Sequence, residues 1–231
     1  MLPEGTRIYV VGDVHGRADL LERAFFRIDA DLAGWQGKSV HVFLGDYIDR
    51  GPDSRDVIDL LIARRLEHDA VLLKGNHETF VAEFLQNPAT LSEWRQFGGL
   101  ETLMSYGLRP SLKPDMTEQR ELAAALGERL PEMHRQFLKS LALSFTCGDF
   151  FFVHAGVKPG VPLSLQKEAD LLWIRDEFLL HEENFGKIVV HGHTPVREAD
   201  IRPNRINIDT GAYATGHLTC LVIEQDDVAI I

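Results

Sequence analysis

The first third of the chain alternates short apolar runs with segments of helical period. Three apolar runs end in glycine, which is typical of strands buried on both faces of a parallel sheet. These runs are RIYVVG (7–12), SVHVFLG (39–45) and AVLLKG (70–75). Between them, apolar residues recur every three or four positions from Leu20 to Leu32, and from Val57 to Ile62 after PDS, a turn and N-cap signal. This order predicts parallel strands joined by right-handed helical crossovers.

Residues 79–142 have mostly helical patterns. The stretch from Thr117 to Gly127 predicts an amphipathic helix, and Pro131 is placed to open another. The predicted core stripe of this second helix consists of Met133, Phe137, Leu138 and Leu141.

Beyond Leu143 the pattern becomes rich in strands. The strand-like segments are LSFTCG (143–148), FFFVHAG (150–156), KIVVHGH (187–193), RINIDTG (205–211) and HLTCLVIE (217–224). An α/β half followed by a β-rich half predicts two packed sheets with helices outside. No linker or repeat divides the chain, so we expect one domain over 1–231, with the helical segment of about 79–142 inserted between its two halves.

Charge and composition narrow the classes of partner. The chain has 231 residues, 45% of them hydrophobic and 26% charged, which is ordinary for a globular protein with one sizeable core. Its formal net charge of −11 argues against extended nucleic-acid binding, which needs a basic surface. An acidic protein can still bind phosphate where local cations or metal ions overcome the overall field.

The N-terminus and the cysteines bear on the compartment. The opening MLPEGTR lacks the basic and apolar regions of a signal peptide, and no apolar run reaches the length of a membrane span. Cys147 and Cys220 fit no zinc-binding spacing, so we expect two free thiols in a reducing compartment. The resulting prediction is a cytoplasmic protein with no membrane partner.

Polar clusters flanked by glycine follow five of the apolar runs. They are GDVHG (12–16), GDYIDRG (45–51), GNHE (75–78), HAG (154–156) and HGHT (191–194). Ligands of open α/β sheets gather at the carboxyl ends of the strands, and glycine permits sharp turns and close backbone approach there. We therefore expect the five clusters to deliver aspartate, histidine, asparagine and arginine to one shared cleft.

The residue types in these clusters indicate a metal site. Carboxylates with imidazoles and one amide oxygen suit Mn, Fe or Zn, whereas structural zinc sites are rich in cysteine. Six candidate ligands are too many for one tetrahedral ion with an open position. They fit two metals about 3.5–4 Å apart that share a carboxylate, the arrangement used in hydrolysis of phosphate esters.

In this order the motifs resemble the phosphoprotein phosphatase family of metallophosphoesterases, in its compact bacterial serine/threonine form. The flanking segments FLGDYIDRGPDSRDVIDLL (43–61), WRQFGGLETLMSYG (94–107) and INIDTGAY (206–213) are similar too. The resemblance implies an α/β fold of the calcineurin-like metallophosphoesterase type, an α/β/β/α sandwich with two central mixed sheets flanked by helices. It also implies hydrolysis of phosphomonoesters with two metal ions, for which Mn²⁺ is expected and Fe or Zn are alternatives.

The resemblance also implies a role for each motif residue. The implied metal ligands are Asp13 and His15 for the first metal, Asp46 as the bridge, and Asn76, His154 and His193 for the second. His191 is a weaker candidate, as a ligand or substrate contact.

The remaining motif residues resemble the groups that act on the substrate. His77 resembles the general acid and Asp49 the carboxylate that orients it, while Arg50 and Arg175 resemble a guanidinium clamp on the phosphate. Metal-activated water would then attack in line, and His77 would protonate the departing oxygen. Trp173 is expected to be a core residue, with a place beside the clamp as the alternative.

The substrate remains open at this point. Retention of Asp49 and Glu78 favours a serine/threonine protein phosphatase acting on phosphorylated proteins or peptides, because diadenosine tetraphosphate hydrolases more often read GDxxARG and GNHD. A symmetrical diadenosine tetraphosphate hydrolase, or a broad phosphoesterase acting on phosphotyrosine or small phosphoesters, is the alternative within enzymes. A catalytically inactive phosphate-binding module is the alternative outside them, although such a module would usually have lost some of these ligands.

Overall fold

The computed structural model describes residues 1–231 and contains two five-stranded sheets. The strands are β1 (Thr6–Val11), β2 (Lys38–Phe43), β3 (Ala70–Leu72), β4 (Ser144–Cys147), β5 (Phe150–Val153), β6 (Ile188–His191), β7 (Asp200–Ile201), β8 (Arg205–Asn207), β9 (Cys220–Glu224) and β10 (Asp227–Ile230).

Ten α-helices connect or cover these strands. They are α1 (Ala18–Leu32), α2 (Ser54–Glu67), α3 (His77–Gln86), α4 (Leu91–Trp94), α5 (Gly99–Ser105), α6 (Met116–Arg129), α7 (Glu132–Lys139), α8 (Glu168–Trp173), α9 (Asp176–Leu179) and α10 (Ala212–Thr215). Short 3₁₀ turns occupy Pro88–Thr90, Arg95–Phe97 and Leu163–Leu165. None of the helices combines the length and the apolar character needed to cross a bilayer.

The first sheet has the strand order β10-β9-β1-β2-β3. Strands β1, β2 and β3 are parallel, as the alternating pattern predicts. The C-terminal hairpin of β9 and β10 returns to this sheet, where β9 runs antiparallel to β1. The strand-rich second half of the sequence is therefore shared between both sheets, because β9 pairs with β1 and β10 pairs with β9.

The second sheet has the order β4-β5-β6-β8-β7. Its three central strands are parallel, and β4 and β7 close its edges in antiparallel orientation. Short strands at both edges limit the unpaired backbone that this sheet presents.

Successive side chains of a strand point to opposite faces of its sheet, and the buried apolar residues form three clusters. Ile8 and Val10 of β1 pack between the sheets, in one apolar cluster with Phe150 and Phe152 of β5. Tyr9 belongs to a second cluster of 30 buried residues, which the helices of the first half cover. A third cluster lies under α8 and α9 on the outer face of the second sheet. The fold is therefore an α/β/β/α sandwich with two central mixed sheets flanked by helices, as the sequence predicts.

The apolar core stripe predicted for α7 is partly wrong. Phe137 is buried, but Met133 is 57% exposed and borders a surface groove beside α2. The buried residues of α7 are His134 and Phe137, so the helix is rotated relative to the predicted apolar stripe. His134 can occupy the interior because Tyr106 and Asp59 satisfy both of its ring nitrogens.

Candidate metal centre

The five predicted polar clusters meet at one edge of the sandwich. In the first sheet, Asp13, Asp46 and Asn76 follow the carboxyl ends of β1, β2 and β3. In the second sheet, His154 and His193 follow β5 and β6. Since the sheets pack face to face, these strand ends converge, and all five side chains are buried where they meet.

Two groups of ligand atoms lie close enough to hold metal ions. Each consists of three buried side chains whose ligand atoms are all within 4.8 Å of one another. The groups are His15, Asp46 and His77, and Asp46, His154 and His193. Asp46 belongs to both groups, which is the arrangement expected of a carboxylate shared by two ions.

Asn76 and Asp13 lie beside these groups. The Oδ1 atom of Asn76 lies 2.9 Å from His154 Nε2 and 3.0 Å from His193 Nδ1, so its amide oxygen belongs with the second group. Asp13 accepts a hydrogen bond from the backbone N–H of His193 through Oδ2, at 3.0 Å. All six predicted ligands are therefore brought into one site.

The chemistry of these residues fits divalent cations. Asp13 Oδ1 and His193 Nε2 are buried without a hydrogen-bond partner, a costly state that coordination of a cation would relieve. Burial lowers the pKa of His15 to about 3 and that of His193 to about 2, so both imidazoles are neutral and can donate a lone pair. Burial and the charges of Asp209 and Asp46 raise the pKa of Asp13, and a nearby cation would favour its ionised form.

His77 differs from the other histidines of the site. Its Nδ1 donates to Asp49 Oδ2 at 2.6 Å, and its Nε2 lies 3.7 Å from Asp46 Oδ2 and 3.3 Å from Arg50 Nη2. Burial favours the neutral ring, but the carboxylates of Asp46 and Asp49 outweigh burial and raise the pKa of His77. A protonated, hydrogen-bonded imidazole is equipped to donate a proton rather than to bind a metal.

Asp49 is held by two further donors that the sequence analysis did not identify. The indole Nε1 of Trp94 donates to Asp49 Oδ2 at 2.8 Å, and the Thr102 hydroxyl donates to Oδ1 at 2.6 Å. Both residues lie in the segment 94–107, which carried part of the family resemblance. That resemblance was the available signal, but it did not indicate which carboxylate they bind.

The site stores backbone strain. Six non-glycine residues have positive φ, and five of them belong to the predicted site. These five are His15, Asp46, Asp49, Arg50 and His193. Left-handed conformations are unfavourable for such residues and persist where the surroundings impose them.

Glu78 imposes part of this conformation. Its buried carboxylate accepts from the backbone N–H groups of Asp46, Tyr47 and Gly75, at 3.0, 2.8 and 2.8 Å. Burial, followed by the charge of Asp46, raises the pKa of Glu78 to about 7. Glu78 therefore joins the turns after β2 and β3, and its part in the GNHE motif is to shape the loop that carries Asp46.

Two arginines at the site have no acidic partner. Neither Arg50 nor Arg175 forms an ion pair with a carboxylate. The guanidinium of Arg50 lies over the ring of Tyr213, 4.6 Å from its centroid, and the charge of Arg175 acts on His154 and His193. Unpaired guanidinium groups beside a metal site are suited to binding phosphate oxygens.

Neither Trp173 nor His191 belongs to the two groups of candidate metal ligands. Trp173 is 40% exposed, so the expectation of a core residue is wrong. It ends α8, whose preceding residues Leu171 and Leu172 face the core, and its ring lies beside the site instead. His191 is buried outside both ligand groups and packs on the ring of Phe178 at 4.9 Å.

The sequence matches a known family model and is similar to characterised proteins. The sequence model described as calcineurin-like phosphoesterase matches residues 6–220. The chain is 28% identical to a bis(5'-nucleosyl)-tetraphosphatase PrpE [asymmetrical] of Oceanobacillus iheyensis, over 92% of this chain and 87% of that protein.

Solved structures agree in fold at lower sequence identity. A cold-active protein-tyrosine phosphatase of a psychrophilic Shewanella species has a TM-score of 0.61 and 16% identity, covering all of this chain and 80% of the other. A serine/threonine phosphatase from Saccharomyces cerevisiae has a TM-score of 0.59 and 19% identity, covering 98% of this chain and 79% of the other.

Proposed function

This chain belongs to the calcineurin-like phosphoesterase family, and from that premise we propose that it hydrolyses dinucleoside tetraphosphates with two metal ions. The observation that carries the proposal is the pair of ligand groups sharing Asp46, with Arg50 and Arg175 unpaired beside them. A metal pair and two guanidinium groups suit a substrate with several linked phosphates. The relative from Oceanobacillus iheyensis, named for this activity, supports the choice of substrate.

The proposed metal ligands are those brought together at the strand ends. Asp13 and His15 would hold the first ion, Asp46 would contribute to both sites, and Asn76, His154 and His193 would hold the second ion. Two bound cations supply Lewis acidity, which polarises a phosphoryl oxygen and lowers the pKa of water toward neutrality. The mixed oxygen and nitrogen donors suit Mn²⁺ first, with Fe or Zn as alternatives.

The arginines position the phosphoryl group and stabilise its charge. A guanidinium can donate two parallel hydrogen bonds to phosphate oxygens, and phosphoryl transfer spreads charge over the non-bridging oxygens. Arg50 is oriented for this by the Tyr213 ring beneath it. Arg175 is exposed and reaches the same region from the segment that follows α8.

His77 donates the proton that the departing oxygen needs, and Asp49 orients His77. The oxygen of a water molecule bonds to phosphorus while the bridging P–O bond breaks. The departing oxygen receives a proton from His77 Nε2, and the attacking water releases a proton to solvent, from which His77 is reprotonated. Asp49 accepts the hydrogen bond from Nδ1–H and so keeps the ring protonated and aligned. We propose asymmetrical cleavage, which yields a nucleoside monophosphate and a triphosphate, whereas the alternative considered from sequence was symmetrical.

A serine/threonine protein phosphatase is the second candidate, and the Asp49–His77 pair favours it. The serine alkoxide released from a phosphoprotein is a strong base and needs a proton from the enzyme. A nucleotide phosphate leaves readily as an anion and depends less on a general acid. The short Asp49–His77 hydrogen bond therefore supports a substrate with a poor leaving group.

The test compares substrates on metal-stripped protein reloaded with Mn²⁺. We expect kcat/KM for diadenosine tetraphosphate to exceed that for phosphoserine, phosphothreonine and phosphotyrosine peptides, with AMP and ATP as products. A preference for phosphopeptides would support the second candidate instead. No metal-dependent turnover of any substrate, with wild type equal to the Asp46→Asn control, would contradict both.

A further inference from the structure

Two large aromatic side chains at the metal centre remain exposed. Trp173 is 40% exposed and Tyr213 is 39% exposed. The Trp173 ring centroid lies 6.2 Å from that of His193, and the Tyr213 centroid lies 5.4 Å from that of His15. His193 and His15 belong to different ligand groups. The two exposed rings therefore border different members of the proposed metal pair.

Core packing does not account for the exposed parts of these rings. Trp173 contacts Phe80, Phe97 and His193, but these rings lie at 74–85° to it, so none stacks parallel to the indole. Tyr213 lies on α10, a four-residue helix between Gly211 and Gly216, and its hydroxyl makes no hydrogen bond within the chain. Both positions leave aromatic surface available to a planar ligand.

Tyr213 is also connected to the phosphate clamp. The guanidinium carbon of Arg50 lies 4.6 Å from the centre of its ring, and Arg50 Nη2 lies 3.3 Å from His77 Nε2. A phosphate held by Arg50 would therefore be close to an aromatic surface. Arg175, the second arginine of the clamp, follows Trp173 by two residues in the chain.

We infer that Trp173 and Tyr213 form a pair of stacking platforms for the nucleobases of a dinucleoside tetraphosphate, one beside each ligand group. This inference rests on the proposed function and adds the subsites that would select a nucleotide over a simple phosphate ester. Aromatic stacking uses the face of a base, which adenine and guanine share. The platforms would accept both purines, since neither ring reads the hydrogen-bonding edge of the base.

The inference predicts a loss of affinity that is larger for substrates that carry bases than for simple phosphate esters. Base–aromatic stacking is worth enough for removal of one ring to raise KM roughly tenfold to a hundredfold. We expect Trp173→Ala to raise KM for diadenosine tetraphosphate by this amount, with kcat changed less than about threefold, and to leave activity on p-nitrophenyl phosphate, which has no nucleobase, near that of wild type. Tyr213→Ala also removes the ring beneath Arg50, so it should lower activity on both substrates, with the larger loss on the dinucleotide.

Three control variants separate stacking from support of the metal centre. Trp173→Phe and Tyr213→Phe each keep an aromatic ring and should retain most of the dinucleotide affinity. Phe26→Ala removes a ring that is 76% exposed on α1 and contacts neither ligand group, so it should leave both activities unchanged. Metal content, measured for every variant, should stay equal to that of wild type.

The outcomes distinguish this inference from the proposed function. Equal losses on diadenosine tetraphosphate and p-nitrophenyl phosphate, or a loss of bound metal, would show that the rings support the metal ligands and would overturn the inference alone. An unchanged KM in both alanine variants would also overturn it. A wild-type enzyme that hydrolyses p-nitrophenyl phosphate but not the dinucleotide would instead overturn the proposed substrate.

Discussion

At the scale of single residues, the Asp49 carboxylate sets the geometry of the proposed acid. Its two oxygens accept hydrogen bonds from His77, Trp94 and Thr102, and none of these atoms is exposed. A carboxylate held by three donors has little freedom to rotate, so it fixes the imidazole plane of His77. We therefore propose that Trp94 and Thr102 are positioning residues that act through Asp49.

We predict that Trp94→Phe and Thr102→Val each lower kcat about tenfold on an alkyl phosphate, because each removes one hydrogen bond to a charged group. The loss should be smaller on p-nitrophenyl phosphate, whose leaving group needs less protonation. Bound metal should not change. Steady-state kinetics on both esters, together with metal analysis, measure these effects.

A double variant that also lacks His77 provides the control for this prediction. His77→Asn removes the proposed proton donor, so adding Trp94→Phe to it should cause little further loss in kcat. Thr102→Ser keeps the hydroxyl and should remain close to wild type. Additive losses in the double variant would contradict a role through His77.

At the scale of elements, a buried histidine joins the first sheet to its covering helix. His41 of β2 accepts a hydrogen bond at Nδ1 from Arg64 Nε of α2, at 3.1 Å, and Arg64 also pairs with Asp29 of α1. Burial, followed by the charges of Arg64 and His68, lowers the pKa of His41 to about 3 from the ordinary value of 6.5. The folded state therefore holds a neutral His41 in the acid range, where the unfolded chain would bind a proton.

This difference predicts an acid-sensitive free energy of unfolding. Stability from His41 is complete above pH 6.5 and decreases as the pH falls toward 3, because protons then favour the unfolded chain. His41→Gln keeps an acceptor that does not titrate, so it should reduce the loss of unfolding free energy between pH 7 and 5.5 by about 1 kcal/mol. Urea unfolding of both proteins at the two pH values measures the difference.

His217→Gln is the matched control for this experiment, since His217 is an exposed histidine. Comparison with wild type cancels the pH dependence that all other groups contribute. A pH dependence of unfolding that is unchanged by His41→Gln would mean that His41 takes up a proton in the folded state.

At the scale of the whole molecule, the proposed metal pair joins the two sheets. Asp13, Asp46 and Asn76 come from the first sheet, whereas His154 and His193 come from the second. The unfolded chain cannot hold these ligands together, so metal binding should stabilise the packed sandwich as a unit.

We predict that Mn²⁺ raises the thermal midpoint of the metal-stripped protein. At a free concentration one hundred times Kd, binding adds about 2.7 kcal/mol, which corresponds to roughly 5–10 °C for a chain of this length. Asp46→Asn should lose most of this shift, because Asp46 contributes to both ligand groups. Scanning calorimetry with and without Mn²⁺ measures it, and an equal shift in the variant would contradict the shared position of Asp46.

Much of the fold and of the site depends on local signals that the sequence carries. Apolar runs of strand length and helical periods predict β1, β2, β3, α1 and α2, and the motif spacing predicts which residues follow each strand. Polar residues after buried strands converge for a general reason, since the carboxyl ends of parallel strands share one edge. Strand ends and motif spacing therefore place the polar clusters at one edge without coordinates, and the family resemblance implies which six of their residues are the ligands.

The tertiary structure decided the features that depend on contacts between distant segments. Partners far away in the chain determine three such features. They are the return of β9 and β10 to the first sheet, the exposure of Trp173 and Met133, and the hydrogen bonds from Trp94 and Thr102 to Asp49. A hydrophobic pattern indicates that a side chain can be buried, but the neighbouring elements decide whether it is. Local patterns in the sequence are therefore enough to predict the strand ends and the polar residues that follow them, whereas packing between distant segments leaves Trp173 exposed and brings Trp94 and Thr102 to Asp49.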